Sequence, residues 1–295
     1  MNPQERMILM YKILKKQVLS PAAVSMHIHA PLVAAKAQPG QFIILRVDGE
    51  GERIPLTVAE TDPAEGSVRI IFQPVGATTD RLNRLGEGDF ISDFAGPLGE
   101  PTELEGLKNV CIIGGGVGCA IALPIARRLH EMGAKVTSVV GFRTKELVIL
   151  EDEFAACSDR LTVMTDDGSY GQHGNVTAPL RQALENGERY DRVITIGPLV
   201  MMKFVTLTAK EFGVPVTVSM NPIMIDGTGM CGGCRLTLLR DGKRVTKFAC
   251  VDGPDFDGYE VDFDEAMSRG RMYAEFEARA REENCRLFES AEGGK

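Results

Sequence analysis

No run of about 18 apolar residues occurs in the sequence, so none of it reads as a membrane-spanning helix. An excess of positive charge is also absent. Lys and Arg number 33 against 41 Asp and Glu, a net charge of −8, which argues against nucleic acid or an acidic membrane surface as partner. The first residues, MNPQERMILMYKILKKQ, are charged and interrupted, without the apolar core or small-residue cleavage site of a secretory leader. There is no internal repeat and no low-complexity tract. Histidine is scarce, and none follows His173. The composition that remains is ordinary for a globular protein. A chain of 295 residues is long enough for two or three domains. Its seven cysteines are an odd count, and three of them fall in one short segment. That is not the disulfide framework of a secreted protein; in a reducing compartment such clusters bind metal or do redox work. The expected location is the cytoplasm.

The first hundred residues read as strands. Apolar runs at 11–19, 24–29, 41–47, 54–59, 67–73 and 90–94 are separated by Gly-containing turns, with one short helix expected at 79–85. Short strands so spaced suggest a sandwich or barrel. The rhythm changes after about residue 107. Strands at 110–113, 136–141, 161–165, 192–196 and 214–219 alternate with helices at 120–132, 150–156, 176–186 and 200–212. That alternation predicts βαβ units and a parallel sheet. The remainder holds the cysteine segment and an amphipathic acidic helix at about 262–285. The expected boundaries are 1–105, 106–219 and 220–295.

GGGVG at 114–118 follows a strand and opens a helix, the context a dinucleotide site needs. Glycines let the backbone approach a pyrophosphate, and the helix N-terminus supplies amide donors. Gly114 and Gly116 fit the first two positions of G-x-G-x-x-G; the third falls on Cys119, and Gly115 and Gly118 are extra. Other strand ends carry Gly141 and Arg143, then Asp166 in TDDGS, then Gly197 and Pro198. Ligands of open α/β sheets bind outside such carboxyl ends. Arg143 is the candidate for a ribose or phosphate contact, or else a solvated charge beside Lys145.

Cys231-x2-Cys234 is followed by Cys250 after fifteen residues. Zinc usually takes four Cys or His ligands. Here the fourth would have to be Cys285, poorly placed in the expected helix, or a carboxylate. Asp226 precedes Cys231 by the interval that separates the first two cysteines of a plant-type [2Fe–2S] loop. Gly227, Gly229, Gly232 and Gly233 would let amides crowd around cluster sulfides. Alternatively, Asp226 is a turn residue and the fourth ligand comes from outside. Cys111, Cys119 and Cys157 read as packing residues.

PGQF (39–42), RIPLT (53–57), PVGATT (74–79) and GPLG (96–99), ahead of a nucleotide domain, resemble the ferredoxin reductase superfamily. The resemblance implies FAD in the barrel. Arg53 would pair with its pyrophosphate, Pro55 and Leu56 would pack on the isoalloxazine, and Thr57 would hydrogen-bond near N5, as a catalytic orienting group. Gly76, Thr78 and Thr79 would meet the diphosphate. Many relatives have Tyr where this chain has Pro55 or Leu56, and Ile196 stands where a cysteine often precedes Gly-Pro.

SMNPIMIDGTGMCGGCR (219–235) and VDFDEAMSR (261–269) extend the likeness over nearly the whole chain. They resemble the electron-transfer subunit of dihydroorotate dehydrogenase. They resemble still more the small (alpha) subunit family of NADH-dependent reduced ferredoxin:NADP oxidoreductase, also called sulfide dehydrogenase. The implied architecture is a β-barrel flavin domain, an α/β parallel-sheet nucleotide-binding domain and a small C-terminal iron–sulfur segment. The implied cofactors are FAD, NAD(H) and a [2Fe–2S] cluster held by Asp226, Cys231, Cys234 and Cys250. The implied partner is a larger flavin and [4Fe–4S] subunit that performs electron bifurcation with ferredoxin and NADP(H). Two other readings stay open: a subunit serving dihydroorotate dehydrogenase or another dehydrogenase, and a nucleotide-binding module with a structural zinc.

Overall fold

The computed structural model describes residues 10–49 and 51–272, with Phe276 and Arg279. Cys285 and the far part of the helix expected at 262–285 lie outside the described residues; helix Phe263–Gly270 is its described part.

The N-terminal third is an antiparallel barrel made of two sheets. Strands β1 (Tyr11–Ser20), β2 (Ala23–His29), β5 (Glu60–Asp62), β6 (Ser67–Phe72) and β7 (Phe90–Ile91) lie in the order β5-β6-β2-β1-β7. Strands β3 (Phe42–Arg46), β4 (Ile54–Thr57) and β8 (Asp93–Leu98) form a second sheet in the order β4-β3-β8. Alternating inward residues such as Ile13, Met26, Ile28, Ile43, Leu45, Val68, Ile70 and Phe94 fill the space between them. Strand β6 is buried throughout, for a reason visible in its pattern. Val68, Ile70 and Phe72 join the barrel core, while Ile71 packs with the next domain.

That next domain is a sheet in the order β12-β11-β10-β9-β13-β14-β17. Its strands are β9 (Asn109–Gly115), β10 (Lys135–Phe142), β11 (Arg160–Thr165), β12 (Gln172–His173), β13 (Arg192–Ile196), β14 (Val216–Ser219) and β17 (Asp255–Asp257). All pairings are parallel except β14 with β17. The chain runs outward from β9 through β10 and β11, then returns to the other side of β9 as β13. The order therefore reverses between β9 and β13, where open sheets bind ligands.

The cysteine segment is not a separate lobe. Its strand β17 completes the nucleotide sheet, and a hairpin, β15 (Arg235–Arg240) with β16 (Lys243–Phe248), stands beside it. The hairpin turn is Asp241-Gly242, both at positive φ (51° and 73°), the mirror-image turn that suits the strand twist.

Candidate functional site

The glycine loop sits at the reversal point of the sheet. A Cβ on Gly118 would fall 2.5 Å from the Ile196 carbonyl oxygen, so the helix Gly118–Glu131 can start against β13 only with glycine there. A Cβ on Gly197 would fall 3.2 Å from Gly115 Cα, and one on Gly115 would strike Met201 Sδ and Pro198. A Cβ on Gly114 would meet Cys119 Sγ at 2.8 Å, and one on Gly141 would meet Val176. These glycines serve packing. Gly116 differs: it has φ +55° and open space where a side chain would go, while its N–H donates to the Gly141 carbonyl at 2.8 Å. Backbone is thus presented to the crevice there, as an approaching phosphate requires. Met202 is core, while Met201 lies over the Gly115–Gly197 contact.

Arg143 and Asp166 are exposed at neighbouring strand ends. Asp166 N–H donates to the Phe142 carbonyl at 3.0 Å and Asp167 N–H to the Arg143 carbonyl at 3.2 Å, so this loop runs beside β10. The Ser169 hydroxyl and amide hold the Asp167 carboxylate below its usual range. Lys145 lies 5.6 Å from the ring centroid of Tyr170, whose hydroxyl donates to Glu151. The sequence motifs did not single out Tyr170.

On the barrel, the RIPLT strand β4 is the edge of its sheet, and Ile54, Pro55, Leu56 and Thr57 all remain partly exposed. Arg53 is half-exposed, with Nη2 3.7 Å from Asp93 Oδ2; Arg46 Nε holds that oxygen at 2.6 Å. Gly76 has open space at its Cβ position and begins the helix Ala77–Arg84. The Thr79 hydroxyl accepts from the Val75 and Gly76 amides, each at 3.0 Å, which shapes the loop, and Thr78 is buried.

The cysteine loop lies against this same sheet. A Cβ on Gly227 would strike Leu98 Cδ1 at 2.6 Å and Ile44 Cγ1 at 3.1 Å. Thr57, Phe42 and Leu98 face one another across β4, β3 and β8. Neighbouring strands are about 4.8 Å apart, so the Thr57 and Leu98 backbones are separated by about 10 Å. The GPLG turn is part of the junction: Glu100 N–H donates to the Gly253 carbonyl at 2.7 Å. Both Asp226 oxygens accept backbone amides, Thr228 to Oδ1 and Cys231 to Oδ2, each at 2.7 Å. The first of these leads in holding its carboxyl below the usual range. Cys231 is exposed; Cys234 and Cys250 are buried with their sulfurs 3.2 Å apart. Burial pushes the Cys250 thiol up, and neighbouring Cys234 adds to the shift. Among the described residues, no three His, Cys, Asp or Glu side chains are gathered as a ready single-ion site.

Residues 221–262 match the iron–sulfur cluster binding domain of dihydroorotate dehydrogenase B. The chain is 50% identical over 266 residues to the dihydroorotate dehydrogenase B (NAD(+)) electron transfer subunit homolog of Thermotoga maritima, covering 90% of this chain and 92% of that protein. The chain belongs to the dihydroorotate dehydrogenase B electron transfer subunit family. A solved structure of NADH-dependent reduced ferredoxin-NADP oxidoreductase, reported for insight into flavin-based electron bifurcation, superposes with TM-score 0.85 at 48% identity. The match covers 92% of this chain and 96% of that one. A cytochrome P450 reductase from Amycolatopsis (TM-score 0.59, 22% identity, 70% of this chain and 66% of that one) shares the fold alone.

The donor set of this family member fits an iron–sulfur cluster. Three thiols are free of disulfides, and one carboxylate is within reach of the same loop. Gly227, Gly229 and Gly232 all have positive φ, a backbone that side chains rarely adopt, and the Gly233 amide donates to Cys231 Sγ at 3.4 Å. No described helix is long and apolar enough to cross a membrane.

Proposed function

We propose that this chain is the NAD(H)-side electron-transfer subunit of a heteromeric, cytoplasmic flavin and iron–sulfur oxidoreductase of the bifurcating ferredoxin–NADP type. The observation that carries the reading is the packing of the cysteine loop, at Gly227, on Ile44 and Leu98 of the sheet that holds RIPLT. When bound, FAD exchanges hydride with NAD(H) and single electrons with a [2Fe–2S] cluster. The chain supplies the placement. Arg53 offers a forked cation to the FAD diphosphate. The exposed edge of β4 offers Pro55 and Leu56 as a platform and Thr57 as a hydrogen-bonding group for the flavin edge. Gly76, Thr78 and Thr79 form the loop that opens the helix beside the diphosphate. Gly114, Gly115, Gly116 and Gly118 shape the nicotinamide nucleotide crevice, with Gly141, Arg143, Asp166, Gly197 and Pro198 around its rim. Asp226, Cys231, Cys234 and Cys250 hold the cluster. Ile223, Ile225, Met230 and Val251 are exposed around that loop and offer an apolar face to the larger flavin and [4Fe–4S] subunit, through which ferredoxin is served.

The test is an absorption spectrum with flavin, iron, zinc and acid-labile sulfide analysis on anaerobically purified chain. One FAD with about two irons and two sulfides is expected; one zinc without flavin or sulfide would sink the reading. In the same assay Asp226→Asn keeps a turn acceptor but not the charged ligand, so its iron content should drop. The family name favours a second reading, electron transfer to a dihydroorotate-oxidising partner. Activity of the reconstituted pair with dihydroorotate, and none with ferredoxin and NADP(H), would select it.

A further inference from the structure

We propose that Glu60, Arg69, Arg127 and Glu153 form an ionic clasp that sets the angle between the barrel and the nucleotide sheet, and so positions the two cofactor crevices against each other. Only the last clause rests on the proposed function.

Glu60 is on β5 and Arg69 on β6; Arg127 is on the helix Gly118–Glu131 and Glu153 on the helix Glu151–Ala155. Arg69 Nη1 lies 3.1 Å from Glu60 Oε2 and 2.9 Å from Glu153 Oε2, and Arg69 Nη2 lies 3.1 Å from Glu153 Oε1. Arg127 Nη1 lies 3.1 Å from Glu60 Oε1, and Arg127 Nη2 donates to Glu153. Each cation touches both anions, and each domain supplies one of each. The ring is closed, neutral and alternating across the boundary.

Isolated surface pairs contribute little. This ring differs in two ways. Arg69 has only 9% of its side chain exposed, and its Nε donates to Ser25 Oγ at 3.0 Å, so its direction is fixed from below. The fork of Arg69 on Glu153 is two-pronged, which specifies orientation as well as proximity. The ring also edges an apolar seam in which Ala23, Ala59 and Ile71 of the barrel join one cluster with Ala120 and Leu123 of the facing helix. Apolar packing is non-directional; the ring supplies register.

The connections lead to both crevices. Glu60 follows Thr57 by three residues along the chain, with Val58 and Ala59 buried between them. Arg127 stands on the helix that the GGGVG loop opens, about 14 Å along its axis from Gly118. The Glu60–Arg127 pair thus ties the run that carries the candidate flavin strand to the helix behind the candidate nucleotide loop.

The test uses the full chain with its cofactors and the variants Glu60→Gln, Arg127→Met, their double, and Arg127→Lys. FAD and iron are measured on every sample. Hydrogen exchange is followed in the connecting residues 99–108, and reduction of bound FAD by NADH is followed by stopped flow. Each neutralising variant should speed exchange in 99–108 and slow flavin reduction on the order of tenfold at unchanged FAD content. The double should be little worse than either single, because one ring is broken once, and Arg127→Lys should stay near wild type. Unchanged exchange and rate, additive losses, or a rate loss that tracks lost FAD would overturn the clasp. Exchange needs no cofactor reaction. A wild-type chain that fails to oxidise NADH therefore sinks the proposed function, and the exchange result still decides the clasp.

Discussion

Around the reversal point of the sheet, a Cβ on Gly114, Gly115, Gly118, Gly141 or Gly197 would meet a neighbouring atom closer than 3.0 Å. Gly118 is the sharpest case. Its missing Cβ points at the Ile196 carbonyl, a fixed backbone atom rather than a side chain able to swing away. Gly118→Ala should therefore push the helix from β13 and cost about 1–3 kcal/mol. The measurement is the denaturant midpoint, with nicotinamide nucleotide affinity falling in parallel. A variant with wild-type midpoint would show that the helix start shifts freely. Gly115 contrasts with it, since the nearest atom in the way is the far end of Met201, with the Pro198 ring behind it at 3.1 Å. The glycine motif was readable because its spacing is local. Which glycine packs and which opens to the crevice was not, because β13 supplies the opposing wall from far along the chain.

Among the elements, β17 shows how three residues can decide a boundary. It is too short to stand out in sequence, yet it joins the cysteine segment to the edge of the nucleotide sheet. Asp255 begins it. Asp255 is half-buried, Thr102 Oγ1 donates to its Oδ2 at 2.6 Å, and its enclosed Oδ1 has no partner among the described residues. Burial raises its pKa above 3.8, with the bond from Thr102 opposing. The folded chain then holds the proton more tightly than the unfolded chain. The stability so contributed is complete below about pH 4 and is lost as pH rises through the raised folded value. Asp255→Asn has no proton to lose at that site. Its melting temperature relative to wild type should climb from pH 4 upward. A difference that stays flat across that range would mean that Asp255 ionises in the fold at its ordinary value. The Asp-Gly hairpin turn at 241–242 carries a local sequence signal, whereas the β17 pairing has none.

At the scale of the molecule, the barrel and the nucleotide sheet share one buried apolar seam. Ala23, Ala59 and Ile71 share a buried cluster with residues of β9, β10 and β13 and the helix Gly118–Glu131. Removing either domain would expose that apolar seam. Thermal unfolding followed by far-ultraviolet circular dichroism and by tyrosine fluorescence should give coincident midpoints, the mark of a single transition. Two separated transitions would show that the seam contributes too little to couple the halves.

The sequence by itself determined the classes of element, because hydrophobic periods of two and of 3.6 are local. It also determined the cysteine spacing and the charge, and through the motif strings the family resemblance. The strand expected at 192–196 is the observed one, and the other principal strands and helices differ from expectation mainly at their ends. Tertiary structure alone decided what faces what. The cysteine loop lies on the sheet of Thr57 because Gly227 has no side chain to hold it off Leu98. Glu60 meets Arg127, and Asp255 loses its water, because chain segments remote in sequence close on one another. No local pattern encodes such pairings: their energy comes from surfaces that exist only once both halves have folded.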